Sequence, residues 1–199
     1  MNEIRWDKMV EDTKKFFTAP SELYQNFEKE GGYLEPIIYV ILMTLIGEIL
    51  IILFFSVFRL PYLAISMVFC FLFIPITIVG FFISTFILHL IWTALGSEES
   101  FETSLRCNAS FSALFPAGIL VSLIPFFGKW IGMFAYLFAL YFYIIIASIY
   151  VHRIDETRAR KVFLTIFVVL AFLRMANIVR WEIREKNTKR KTEEMIKKM

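Results

Sequence analysis

Of 199 residues, 58% are apolar and 23 are phenylalanine, and the runs 36–58, 63–95, 109–127 and 130–151 carry almost no charge. Each run is close to or beyond the roughly 20 residues that a helix needs to cross about 30 Å of hydrocarbon, and too few polar residues remain to cover so many helices in water. A water-soluble globular domain is thereby excluded in favour of an all-α polytopic transmembrane bundle, and a formal net charge of +3 with no reading module gives no footing for nucleic acid.

Residues 1–35 read as an amphipathic interfacial segment. Met1 to Lys15 is dense in charge and lacks an apolar h-region, so the first span is expected to act as its own insertion signal. In "IRWDKMVEDTKKFF", Trp6, Met9, Val10, Phe16 and Phe17 recur at helical spacing with charges between them. Such a helix can lie in the headgroup plane with Trp6, Phe16 and Phe17 as membrane-surface contacts, or pack against the protein's own loops. "TAPSE" breaks it, and a second short piece with Leu23, Tyr24 and Phe27 stops at Gly31-Gly32. Together they suggest a lid or collar at one membrane face.

The transmembrane domain is expected over 36–180, with spans at about 36–58, 66–95, 104–126, 130–152 and 161–180. Pro36 falls in the first turn of the first span, where its missing N–H costs nothing. The second run is too long to stand upright as one span, so Pro75 should kink or break it. Ser100, Thr103 and Ser104 can cap the third span, which carries Pro116 near its middle. Gly128-x-x-x-Gly132 in the fourth matches a small-residue packing motif. The fifth run is interrupted by Arg174, and four spans with an interfacial C-terminal helix are the alternative. Lysines and arginines divide ten against ten across the two faces with five spans, and eighteen against two with four. Residues 181–199 form a basic tail, and Arg180, Arg184, Lys189, Arg190 and Lys191 could meet anionic lipid headgroups.

Glu48 is the costly residue, a carboxylate near the middle of the first span. Arg174 lies at a similar depth if both helices cross in the same direction, so an ion pair would relieve both desolvation penalties. A protonated Glu48 bonded to a carbonyl or water is the alternative, as is an Arg174 that snorkels toward the tail. His89, near one interface, completes a candidate intramembrane polar cluster, although one histidine there more often packs than relays protons. Arg106 and Asn108 are expected to cap the third span or touch headgroups. Cys70, Cys107 and two histidines give neither a disulfide framework nor metal-ligand spacing, so neither metal nor cofactor is expected. No nucleophile has a base at readable spacing, so no enzyme is expected.

"HLIWTALGSEESFETSLRCNASFSALFPAGILVSLIPFF", with His89, Gly96, Phe101 and Pro116, resembles the Yip domain family, named for Ypt/Rab-interacting proteins. The lead-in "FFTAPSELYQNFEKEGGYLEPIIYV", with Pro20 and Pro36, is similar to that family's amphipathic prelude, and the resemblance spans about 6–175. It implies a five-span helical domain whose eukaryotic relatives engage Rab-type GTPases in membrane traffic. The Asp-Leu-aromatic-Gly-Pro signature of those relatives is only "YLEP" here, and the N-terminal segment is short, as in a compact prokaryote-type member. A prokaryotic chain would sit in the plasma (inner) membrane, a eukaryotic one in ER or Golgi membranes. The expected function is a non-enzymatic membrane-organising or protein-interaction module whose partners are the bilayer, a protein or a second copy. The alternative is a small transporter or channel using the Glu48, Arg174 and His89 cluster.

Overall fold

The computed structural model describes residues 4–58, 63–122 and 128–198, and these are helical throughout apart from turns and short connections. In chain order they form α1 (Trp6–Thr18), α2 (Pro20–Gln25), α3 (Leu34–Phe58), α4 (Leu63–Ala94), α5 (Phe101–Phe111), α6 (Leu114–Ser122), α7 (Gly128–Tyr150) and α8 (Glu156–Lys198). Among the described residues, Leu34–Phe54, Phe73–Ala94 and Glu156–Ile178 are long and apolar enough to cross a bilayer, and Phe134–Tyr150 is a shorter apolar helix. Their outward residues, among them Ile76, Val79, Ile83 and Phe86 on α4 and Leu164, Val168 and Phe172 on α8, are exposed. Large aliphatic and aromatic faces left open along spanning-length helices are what a lipid solvent permits and water does not. The protein is an integral, multi-pass membrane protein.

The expected third span is two helices. Pro116 has no N–H to give the Ser112 carbonyl one turn back, and its ring crowds that carbonyl. Around the break the backbone tightens to three-residue bonds, Ser112 N–H to Ala109 O at 3.0 Å, Ala113 N–H to Ser110 O at 3.3 Å and Phe115 N–H to Ser112 O at 3.0 Å. The Ser110 and Ser112 hydroxyls add bonds to the carbonyls of Cys107 and Ala109 at 2.7 and 2.6 Å. Pro75 does not break α4, which continues across it. α8 also outruns expectation. Its 43 residues extend about 65 Å at 1.5 Å per residue, so the segment read as a tail prolongs the helix.

α3 packs on α4, α5 and α6, α6 on α7, and α8 chiefly on α7. Gly132 gives the α6–α7 contact its closeness, since a Cβ there would lie 3.2 Å from the Ser122 backbone. The best-buried side chains, Trp92, Tyr24, Phe16, Phe163 and Leu105, gather at the end of the bundle where α4 and α7 finish and α5 and α8 begin. α1 and α2 cover that end as a collar, α2 resting on α7.

Candidate functional site: a clasped collar on one face of the bundle

Two glycines shape the turn from the collar into α3. Gly31 (φ +137°) and Gly32 (φ +86°) adopt backbone that residues with a Cβ rarely reach, and a Cβ on Gly31 would come within 2.9 Å of the Arg106 guanidinium. Arg106, on the second turn of α5, reaches into this turn. Its Nε donates to the Glu28 carbonyl at 3.0 Å and its Nη1 to the Gly32 carbonyl at 3.2 Å. Its Nη2 donates to Glu28 Oε2 at 3.3 Å and to Glu35 Oε2 at 3.1 Å. Arg5 takes the same two carboxylates from the other side, with Nη2 at 2.7 Å from Glu28 Oε2 and at 2.8 Å from Glu35 Oε2. Lys8 adds a third cation at Glu28.

Two guanidiniums forked onto two carboxylates are a geometry that lysine cannot reproduce. The Arg5 hydrogen bond, reinforced by Lys8, holds the Glu28 carboxyl down at about 2. Further ties fasten the turn to the start of α5: Lys29 pairs with Glu99, Gly32 N–H donates to Glu102 Oε1 at 2.6 Å, and the Thr103 hydroxyl donates to the Lys29 carbonyl at 3.3 Å. Ser100 caps α5 by accepting from Thr103 N–H at 3.2 Å.

Apolar contacts seat the collar beneath the clasp. Phe16 stacks on Tyr143 with ring centroids 3.9 Å apart, and the Tyr143 hydroxyl donates to the Phe16 carbonyl at 2.8 Å. Tyr24 is buried and its hydroxyl lies 2.7 Å from Ser110 Oγ, while Thr13 and Tyr39 hydroxyls meet at 2.8 Å. Between these contacts lies a cavity of about 100 Å³ whose walls include Lys8, Asp12, Phe27, Tyr39, Arg106 and Ser110. Burial raises the Asp12 carboxyl above the ordinary aspartate range, against the pull of Lys8 and Lys15.

Beside the clasp a buried polar group joins the loop after α4 to the loop after α7. His152 lies on the Trp92 indole with centroids 3.9 Å apart, and its Nδ1 is 2.9 Å from Ser97 Oγ. Trp92 Nε1–H donates to Ser148 Oγ at 2.8 Å, and His152 Nε2 is buried without a hydrogen-bond partner. Burial, aided by His89 and Lys29, pushes the His152 imidazole down to about 3. These ties put the N-terminal collar, the loop before α5 and the loop before α8 on one face of the bundle.

The chain matches the Yip1 domain over residues 14–177. It belongs to the Yip1 domain family. Neither a curated protein nor a solved structure matches it. The Yip1 domain begins inside α1 and ends inside α8, so Glu28, Glu35 and Arg106 fall within it, whereas Arg5 and Lys8 reach in from the preceding segment.

Within this Yip1 domain the three residues of the expected intramembrane cluster do not come together. Glu48 is buried on α3, Arg174 is exposed on α8, and the ion pairs among the described residues do not join them. The reason is lateral order: α8 packs chiefly on α7, whereas α3 packs on α4, α5 and α6. His89 lies apart from both, its Nδ1 2.9 Å from Ser104 Oγ and its ring edge-on to Phe101. Of the expected surface contacts, Trp6 and Phe17 are exposed, but Phe16 is 1% exposed and faces Tyr143. Arg180 and Arg184 are exposed on α8; the side chains of Lys189, Arg190 and Lys191 lie outside those described. Arg106 clasps the collar, and Asn108 donates to Ser84 and Thr85 on α4 at 2.9 and 2.8 Å. Sequence reasoning missed His152 and the Arg5–Glu28–Glu35–Arg106 clasp. Charged residues flanking apolar runs on one face were the available signal.

Proposed function

We propose that this Yip1 domain is a non-enzymatic, five-crossing membrane module that organises the bilayer or recruits a protein partner through its N-terminal collar. α5 and α6 together make the third crossing in this reading, α7 the fourth and α8 the fifth. One observation carries it: the clasp fixes α1 in place while Trp6, Val10 and Phe17 stay 52%, 71% and 49% exposed on its outer side. An amphipathic helix held rigidly with aromatic residues outward costs little further ordering on contact with headgroups or a partner. The transporter reading requires a water-reachable cavity at Glu48, and Glu48 lines neither the collar cavity nor the larger cavity inside the bundle.

Reconstitution into phosphatidylglycerol-containing vesicles tests the proposal. Wild type should alter vesicle size or clustering, and a Trp6→Ser, Val10→Ser, Phe17→Ser variant should lose that effect while keeping its thermal stability. Proton or solute flux that disappears in Glu48→Gln, with vesicle shape untouched by the triple variant, would establish the transporter instead.

A further inference from the structure

The bundle encloses a second, larger space that the collar does not use. It has a volume of about 520 Å³ and receives residues from α3 through α8. Along α4 its wall runs from Phe73 to Ile91, about 27 Å at 1.5 Å per residue, so it is elongated along the membrane normal and longer than the roughly 15 Å of one leaflet. Its α8 wall is the stripe Phe163, Ile166, Phe167 and Leu170, one face of a helix. Although α4 and α8 stand on either side of it, neither packs extensively on the other. Ile87 and Leu170 line the space and are also 51% and 47% exposed, so it is continuous with the lipid-facing surface of both helices.

The chemistry of the walls selects the occupant. The hydroxyls of Thr44, Ser84 and Ser112 donate back to carbonyls of their own chain at 2.8, 2.9 and 2.6 Å. Asn108 spends its amide N–H groups on Ser84 and Thr85. Apart from Thr77 and Tyr136, the remaining walls are valine, glycine, phenylalanine, leucine and isoleucine, so a polar solute would find few partners for the hydrogen bonds it gives up on entry, whereas a hydrocarbon chain has none to lose. Above the α8 stripe, Lys161 is exposed and takes part in none of the ion pairs among the described residues, a position suited to a lipid phosphate.

We infer that the cleft between α4 and α8 is a binding slot for one acyl chain of a phospholipid that enters sideways from the bilayer. Gly80 provides the means to close it. It lines the slot, and a Cβ built there meets nothing within 4 Å, so a side chain can start there and Gly80→Leu adds bulk to the cavity.

The test uses the full chain in phosphatidylcholine–phosphatidylglycerol vesicles doped with a phospholipid carrying a diazirine midway along one chain. Photoadducts should map to slot residues such as Phe163 and Phe167, and mild detergent extraction followed by native mass spectrometry should retain one phospholipid per chain. Gly80→Leu should lose both signals. Ile166→Phe fills the slot from the opposite wall and should do the same, which covers the case of a Gly80 variant that folds poorly. Adducts confined to outward residues such as Ile83, Phe86, Val168 and Phe172, unchanged in a folded slot-filled variant, would overturn the assignment, as would the absence of any retained lipid from wild type.

Discussion

Acidification from about pH 7.5 to about pH 5 should weaken the fold by about 2 kcal/mol through His152 alone. The ring is 2% exposed, stacked on Trp92 and hydrogen-bonded through Nδ1 to Ser97. Burial holds its pKa at about 3, against an ordinary 6.5. As pH falls through 6.5 the unfolded chain takes up a proton that the folded chain refuses. The stabilisation is therefore complete above that value and drains away as pH falls toward about 3. The slope approaches about 1.4 kcal/mol per pH unit, and integration over the chosen interval gives the stated loss. For a chain of this size each kcal/mol moves the melting temperature by about 2–4 °C, so the midpoint should drop by about 4–8 °C. Glu28, held at about 2 against an ordinary 4.5, surrenders its contribution only below that ordinary value, so it barely enters this window. Thermal unfolding in detergent micelles across the interval, with His152→Gln alongside, provides the measurement. Glutamine cannot titrate, so its melting temperature should run flatter with pH than wild type. Equal slopes for the two proteins would refute a buried neutral histidine.

Arg106→Met should destabilise by about 2–4 kcal/mol, because it removes four hydrogen bonds from a guanidinium whose side chain is only 10% exposed; the exposed share of Glu28 lowers the figure from that of a fully buried pair. Limited proteolysis should then cut near Gly31-Gly32 faster than in wild type, and an uncut variant with an unchanged melting temperature would deny the clasp its role. Glu48→Gln and Arg174→Gln should act independently, with a double-mutant coupling below about 0.5 kcal/mol; a larger coupling would restore the Glu48–Arg174 pair, which is not among the ion pairs of the described residues.

The spanning helices were legible because their signal is local: about twenty apolar residues in a row need lipid wherever they occur. The interruption of the third span was not, although Pro116 stood in view. A proline need not end a membrane helix, and α4 continues through Pro75. What ends α5 is the combination of that proline with two serines that bond back to their own turn. Phe16 and Phe17 show a different limit. Spacing marked the helix as amphipathic, but which aromatic met protein and which stayed exposed was decided by Tyr143, more than a hundred residues away.

Depth along a helix and direction around it are separate quantities, and the sequence carries mainly the first. Counting residues at 1.5 Å of rise put Glu48 and Arg174 at similar depth, and nothing in either span recorded that α8 packs chiefly on α7 while α3 packs on α4, α5 and α6. The same counting does better at the interface. Glu35 before the first span, Glu99, Glu102 and Arg106 beside the α4–α5 connection, and His152 after α7 are all brought to one end of the bundle, where Arg106 meets Glu35, Lys29 meets Glu99 and Ser97 meets His152. At that level the collar and loops can reach across the bundle end, so facing is less restrictive there than in the middle of the membrane. Choosing partners still required coordinates, since Arg5, Lys8, Lys29 and Arg106 share that level with Glu28, Glu35, Glu99 and Glu102. At the Gly31-Gly32 turn the missing Cβ of Gly31 leaves the space that the Arg106 guanidinium occupies while it takes two carbonyls and two carboxylates at once.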